Sequence, residues 1–199
     1  GERFVHSQAV EQCWVHEVDF NVRVFSPHGR LKAGIRVDEF RGYLKEYGGV
    51  RIFDAGFQLP YYGEVENDWL GVERDHSHRL SDSKHLPEAL QVPKGLNFLP
   101  TTSRLLGVVK VDTGAEALWI GDAARPEGDS AQPPLAIAIT RDRLIQNRAY
   151  TQVRDAVRAA LDFYAMREAA RELTKKSLEA ARAPLQTARA EVVAMQSQL

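Results

Sequence analysis

Residues Gly48–Gly71 read GGVRIFDAGFQLPYYGEVENDWLG, and they contain the signals of a strand, a turn and a loop in succession. Val50–Phe53 is a short β-rich run, Asp54–Gly56 has the composition of a turn, and Pro60 interrupts strand pairing because proline has no N–H to donate. The aromatic, acidic loop that follows is typical of recognition or of coupling between parts of a protein. We name Tyr61–Trp69 the coupling loop, and its candidate functional residues are Tyr61, Tyr62, Asn67, Asp68 and Trp69.

The segment before this stretch predicts one strand and one helix. Apolar and polar residues alternate over Glu17–Phe25, which is the pattern of a half-buried strand. A helical spacing of apolar residues follows, and Gly48–Gly49 is a natural helix end. The predicted order is therefore strand, helix, strand. The apolar residues with helical spacing are Val37, Phe40, Leu44 and Tyr47.

The chain between Gly56 and Pro100 is long and irregular. A loop longer than about 15 residues inside a compact domain is usually functional or contains short elements of its own. Beyond it, Leu105–Val111 and Leu118–Ile120 are apolar and rich in β-forming residues, and Leu135–Ile139 has the pattern of a fully buried strand. The sequence thus predicts further strands after the irregular region.

The last part of the chain has the pattern of a long helix. Asn147 is suited to cap its start, because an asparagine side chain accepts a hydrogen bond from the first free N–H groups. Pro184 lies inside the helical pattern and should cost about 3 kcal/mol there, so we expect two helical pieces or one bent helix. The apolar face of the first turns consists of Tyr150, Val153, Val157, Leu161 and Tyr164.

From Leu178 onwards, apolar residues repeat at alternating steps of three and four, which indicates a coiled-coil or helix-packing seam. We expect a homodimer through this helical arm. We therefore predict two domains, an α+β domain over residues 1–164 and a helical arm, the start of a coiled coil, over residues 165–199. The seam residues are Leu178, Ala181, Leu185, Ala188, Val192, Met195 and Leu199.

Composition limits the classes of partner. The formal net charge is −1, so no global field attracts nucleic acid, although Lys175–Lys176 leave nucleic-acid binding open. No apolar run approaches the roughly 20 residues of a membrane span. The single cysteine, Cys13, fits a reducing compartment, and we expect a cytoplasmic protein without a membrane partner. The chain begins at Gly1 without methionine, and we expect a piece of a longer protein.

The densest group of potential metal ligands is a histidine-rich segment. His76, His78 and His85 lie near Asp75 and Asp82, which suggests a self-contained, metal-dependent enzyme with its site in the loop over residues 61–85. The alternative is a solvated, charged loop without a metal, which we expect because no CxxC or HExxH framework supports a site. No phosphate-binding glycine motif is present in the sequence either. A further hypothesis is a pure protein-interaction module whose seam is its function.

Three segments together resemble the region that follows the ATP-binding domain in GHKL-type, histidine kinase-like ATPases. That superfamily includes gyrase B, the MutL proteins, the heat-shock chaperone ATPases and the MORC proteins with their bacterial relatives. The segments are YLKEYGGVRIFDAGFQLPYYGEVENDWLG (Tyr43–Gly71), LPTTSRLLGVVKV (Leu99–Val111) and RDRLIQNRAYTQVRDAVRAALDFY (Arg141–Tyr164). The resemblance covers roughly Glu17–Tyr164.

The resemblance implies the transducer, or middle, domain of such an ATPase. It implies an α+β fold like domain 2 of ribosomal protein S5, with a βαβ sheet and packed helices, followed by a coiled-coil-like arm. It also implies a basic residue at the γ-phosphate of ATP, for which Arg104 and Lys94 are the candidates. ATP and Mg²⁺ would be held by an N-terminal ATP-binding domain of the same chain. We therefore expect no cofactor and no catalysis in this part, and a change of conformation coupled to ATP.

Overall fold

The computed structural model describes residues 13–25, 34–78, 80–119 and 134–196, together with Val5 and Ser7. The described residues form both helices and strands, and the predicted α+β class is confirmed in this general form. Short 3₁₀ turns lie at Glu88–Leu90, Gly95–Phe98 and Thr102–Arg104. The main elements are β1 (Asp19–Val24), α1 (Val37–Tyr47), β2 (Gly49–Asp54), β3 (Phe57–Gln58), α2 (Val72–Ser77), β4 (Leu105–Val111), α3 (Thr113–Trp119) and α4 (Arg148–Gln196).

The four described strands form one mixed sheet in the order β1-β4-β2-β3. β4 pairs antiparallel with β1, from Asp19 opposite Lys110 to Val24 opposite Leu105, and parallel with β2. β1 and β2, which α1 connects, therefore run in opposite directions with β4 between them. The predicted strand–helix–strand order is confirmed, but β1–α1–β2 is not a crossover between neighbouring parallel strands. The likeness to domain 2 of ribosomal protein S5 stays a prediction.

Local sequence signals explain why the first elements form. Along β1 the side chains alternate between exposed and half-buried, as the period of two predicts. In α1, Leu44 is buried and Val37 and Phe40 are half-buried, so the predicted inner face is confirmed at these positions. Tyr47 differs, because it is 45% exposed and its ring contacts that of Tyr43.

The turn predicted at Asp54–Gly56 closes a two-residue hairpin between β2 and β3. Asp54 lies opposite Phe57, and the two turn residues have positive φ, 46° at Ala55 and 88° at Gly56. Two positive φ values in succession match the twist of antiparallel strands, which is why such turns favour glycine. The sequence predicts the turn but not β3, because a two-residue strand leaves no periodic pattern.

Helix α4 starts as predicted. The backbone N–H of Tyr150 donates to Asn147 Oδ1 over 2.9 Å, which makes Asn147 the cap. Of the predicted apolar face, Val153, Val157 and Leu161 are at most 2% exposed, and Tyr164 is half-buried. The helix continues as one element through Pro184, so of the two predicted alternatives the one with two separate helical pieces is wrong, and a bend at Pro184 stays a prediction.

Two predicted strands are not strands. Leu118 and Trp119 end helix α3, which Asp112 starts by accepting a hydrogen bond from Ala115 N–H at 2.9 Å, and Ile120 lies outside the described residues. Over residues 135–139 the backbone turns back on its own continuation through a bridge between Ile137 and Leu144. Leu135 is buried but Ile139 is fully exposed, at 102%, because this segment pairs locally and does not enter the sheet.

The chain divides into two compact units. The first contains the described residues of Gly1–Arg74 and Pro100–Arg158, and the second those of Asp75–Leu99 and Ala159–Leu199. Inside the second unit, Ser83 Oγ donates to Asp162 Oδ2 at 2.5 Å, and the sulfur of Met166 accepts from Val92 N–H at 3.3 Å. The predicted domain boundary between residues 164 and 165 stays a prediction. None of the described helices has the length and apolar character needed to cross a bilayer.

Candidate functional site

The aromatic residues of the coupling loop form a ring cluster against strand β2 and helix α4. Tyr62 contacts Tyr61 at 5.2 Å and Trp69 at 5.4 Å between ring centroids, both edge to face, and Trp69 lies 6.5 Å from Tyr150. Edge-to-face pairs of this kind stabilise by about 1 kcal/mol beyond the area they bury. The structure thus brings together the aromatic side chains that the sequence singled out.

Polar atoms of the cluster are used to hold backbone groups. Trp69 Nε1 donates to the carbonyl of Val50 at 2.9 Å, and the N–H of Leu144 donates to the hydroxyl of Tyr62 at 3.0 Å. Tyr62 is 2% exposed, and burial raises its pKa and that of Tyr150 above the ordinary value for tyrosine. Both hydroxyls therefore stay protonated at neutral pH, which favours a structural role over acid–base catalysis.

Asp68 caps helix α2. Its Oδ1 accepts from Val72 N–H at 2.8 Å, and its Oδ2 accepts from the N–H groups of Glu73 and Arg74 at 3.0 and 3.1 Å. A carboxylate at a helix start satisfies free donors and complements the helix dipole. Asn67 belongs to the same turn, and its carbonyl accepts from Trp69 N–H at 2.6 Å.

The exposed part of the coupling loop lies between its aromatic ends. Glu64, Val65 and Glu66 are exposed, Val65 by 53%, while the residues predicted from the sequence are half-buried or buried. These three positions are accessible on the surface of the chain, and they were not among the residues predicted from the sequence. Two acidic residues flanking an apolar one in a glycine-bounded loop was the signal that could have found them.

Arg104 and Lys94, the two candidates for phosphate contact, differ in surroundings. Arg104 is half-buried in the first unit, where its Nε donates to the carbonyl of Phe25 at 3.0 Å and its own carbonyl accepts from Phe25 N–H at 2.8 Å. Lys94 is exposed in the second unit and has a left-handed backbone, with φ 59°. Arg104 therefore anchors the end of β1, and a role for either residue at a phosphate stays a prediction.

The histidines of the alternative metal site do not form a ligand set. His76 and His78 are exposed and His85 is half-buried. Within the part of the chain that the structure describes, no three histidine, cysteine, aspartate or glutamate side chains are grouped closely enough to hold a metal ion. The metal-dependent enzyme therefore gains no support from the geometry.

The seam predicted on the helical arm is described only at its start. Leu178 is 53% exposed and Ala181 is also exposed, so both are accessible on this chain. The side chains of Leu185, Ala188, Val192 and Met195, and all of Leu199, lie outside the described residues. On the same helix Lys176 lies 3.9 Å from Glu172, an exposed pair of the solvated-face type.

The geometry therefore shows an aromatic cluster, a capped helix and an exposed acidic loop tip. No protein-family model, no curated protein and no solved structure matches this chain, and its likeness to GHKL-type ATPases stays a prediction from three quoted segments.

Proposed function

We propose that this chain is a non-catalytic relay module that passes a conformational signal to a helical arm. The observation that carries the proposal is helix α4, a single helix of 49 residues from Arg148 to Gln196. Its first turns are buried in the α+β unit, with Ala149 and Val153 at 1% exposure and Val157 at 0%. At about 1.5 Å per residue, the helix is roughly 70 Å long.

A helix anchored in this way suits a relay for a physical reason. A close-packed core deforms little, so a rearrangement of the residues around the buried turns of α4 shifts the helix as a rigid element. Arg158 strengthens the anchor, because it is 2% exposed and its guanidinium donates to the carbonyl of Leu70 at 2.9 Å. Leu70 directly follows the coupling loop, so loop and helix are joined by a buried, charge-assisted contact.

The resemblance supplies the origin of the signal. In this proposal an N-terminal ATP-binding domain of the same chain holds ATP and Mg²⁺, and the coupling loop contacts that domain. Arg104 or Lys94 senses the γ-phosphate, and the seam beginning at Leu178 passes the signal on through a homodimer. What supports the loop as the contact is its exposed tip, Glu64–Glu66, held on a rigid aromatic base.

Isothermal titration with ATP and Mg²⁺ tests the non-catalytic part of the proposal. We expect no binding by this chain, because the nucleotide site is proposed to lie in another domain. Micromolar binding or ATP hydrolysis by the purified chain would overturn it. The gene sequence upstream of Gly1 tests the origin of the signal, since the family requires an asparagine-containing ATP-site motif and a D-x-G-x-G there.

A pure interaction module is the second candidate. The observation that favours it is the exposure of the first two seam residues on α4, Leu178 at 53% and Ala181. Both candidates predict a dimer through the seam. Light scattering on the chain and on a version ending at Lys176 therefore tests the seam, and the nucleotide tests above distinguish the two candidates. Truncation at Lys176 is preferable to one at Ala165, because Met166 and Ala169 are buried and their loss would disturb the second unit.

A further inference from the structure

A groove beside the edge of the sheet carries an inference beyond the relay role. It has a volume of about 410 Å³ and is lined by the β2–β3 hairpin, including Phe57, Gln58 and Leu59, and by the segment with Ile137 and Arg141. This volume is within the range of ligand-binding clefts. All of these residues belong to the first unit.

The groove offers backbone groups for pairing. β3 is the last strand of the sheet, and Leu59 N–H donates to the carbonyl of Ile52 at 2.9 Å. Hydrogen-bonded pairs alternate along an antiparallel ladder, so the neighbouring residue Gln58 directs its N–H and C=O away from β2. An extended peptide can pair with these two groups, as strands do when they add to a sheet edge.

The groove also offers apolar surface. Phe57 is 79% exposed, and Ile139, on the turn that borders the groove, is 102% exposed. Leu59, which is 2% exposed, and the half-buried Ile137 add further apolar lining. Exposed large apolar side chains grouped around a cleft are typical of a binding surface.

The charges of the groove favour an acidic ligand. Asp54 uses both carboxylate oxygens to accept from Thr113, through its N–H and its hydroxyl, each at 2.8 Å. Arg141 is exposed, and its guanidinium has no hydrogen bond or ion pair with any residue in the described ranges. Of the two charged side chains that line the groove, Arg141 is therefore the one whose hydrogen-bonding groups the described residues leave available, and a carboxylate is the natural partner of a guanidinium.

We propose that this groove binds an extended peptide segment of a partner protein, in which an acidic residue contacts Arg141 and a neighbouring apolar side chain packs on Phe57. The backbone of that segment pairs with Gln58. The proposal does not depend on the relay function or on ATP.

Selection from a random-peptide display library on the purified chain tests the proposal. We expect enriched peptides to combine an acidic residue with an aromatic or aliphatic one. A synthetic copy of the enriched sequence should shift the backbone amide signal of Gln58 in a nuclear magnetic resonance titration. It should bind Arg141→Glu and Phe57→Ala at least about tenfold more weakly than the unaltered chain.

Matched controls separate the groove from general effects of charge and hydrophobicity. Arg23→Glu makes the same charge change on an exposed arginine of β1, and Leu118→Ala removes an apolar side chain that is 84% exposed on α3. Both controls should bind the peptide like the unaltered chain. The absence of any enriched peptide, or equal weakening by controls and groove variants, would overturn the proposal. A lower mass of Phe57→Ala in light scattering would also overturn it, because a second copy would then be the occupant.

Discussion

Gly49 and Gly63 lie in direct backbone contact, and a side chain at Gly49 would collide with the loop that follows the hairpin. A Cβ built on Gly49 would be 2.0 Å from the carbonyl oxygen of Gly63, and Gly49 has a φ of +83°. Both facts require glycine at the first residue of β2. The contact holds the start of the strand against the coupling loop.

Replacing Gly49 by alanine should therefore destabilise the protein strongly. We expect a loss of about 3 kcal/mol in the free energy of unfolding, from the left-handed backbone and the steric overlap together. Urea denaturation measures it. Gly42→Ala is the control, because Gly42 lies in helix α1 with no atom within 4 Å of its added Cβ. That change should stabilise by about 0.5–1 kcal/mol, and equal losses at both positions would contradict the contact.

Asp68→Ala should destabilise by about 1 kcal/mol, since three N–H groups at the start of α2 lose their acceptor. Asp68→Asn keeps one carbonyl acceptor and should lose less. The free energy of unfolding from denaturant curves distinguishes the two variants. If both variants have the same free energy of unfolding as the unaltered chain, Asp68 does not stabilise this region, and a role in binding is the remaining explanation for it.

Asn147→Ala should cost about 1–2 kcal/mol, because the side chain both caps α4 and links it to the preceding segment. Its Oδ1 accepts from Tyr150 N–H, and its Nδ2 donates to the carbonyl of Pro134 at 2.8 Å. Asn147→Asp retains the cap but loses the donor. Thermal or urea unfolding should therefore give it a stability between that of Asn147→Ala and that of the unaltered chain. An aspartate variant no better than alanine would argue against capping as the main contribution.

Alkaline pH should weaken the aromatic cluster. The pKa of Tyr62 and that of Tyr150 are raised above 10.0 in the folded protein, mainly by burial. A raised pKa gives stability that is complete below the unfolded value and is lost as the pH rises past about 10. Urea denaturation at neutral pH and above pH 10 should therefore show a marked alkaline loss of stability.

Tyr62→Phe separates the two contributions of this side chain. Near neutral pH it should destabilise by about 1–3 kcal/mol, because the buried N–H of Leu144 loses its acceptor. Its alkaline loss should be smaller than that of the unaltered chain, since one buried ionisable group is gone. Tyr43→Phe, on a side chain that is 50% exposed, is the control and should change neither value much. An alkaline loss undiminished in Tyr62→Phe would refute the assignment.

Leu178→Glu should abolish the predicted dimer. A glutamate at a seam position places a charge in an apolar helix interface, so light scattering should show the mass falling to that of a monomer. Leu173→Glu is the matched control, because Leu173 is equally exposed on α4 but is not on the seam. A mass unaffected by Leu178→Glu, or affected equally by both changes, would contradict the seam.

Prediction from the sequence succeeded for the elements with strong local periodicity. It failed where contacts between residues distant in sequence determine the local structure. The alternation in β1 and the apolar face of α4 were confirmed residue by residue. Leu135–Ile139 has the composition of a buried strand, but such a segment joins a sheet only if another strand pairs with it. The coupling loop was found by composition, and the exposure of Glu64–Glu66 at its tip was not.

Local sequence patterns are sufficient to predict the type and order of several main elements: strand β1, helix α1 with its glycine end, strand β2 with its turn, and helix α4 with its cap. These depend on periods of two or 3.6 residues and on caps, which act over a few neighbours along the chain. Three features are visible only in the folded chain: β4 lies between β1 and β2, Gly49 contacts Gly63, and hydrogen bonds hold Tyr62 and Trp69 against the backbone of Leu144 and Val50. These facts depend on contacts between residues distant in sequence, and no local pattern encodes which of two apolar segments will meet.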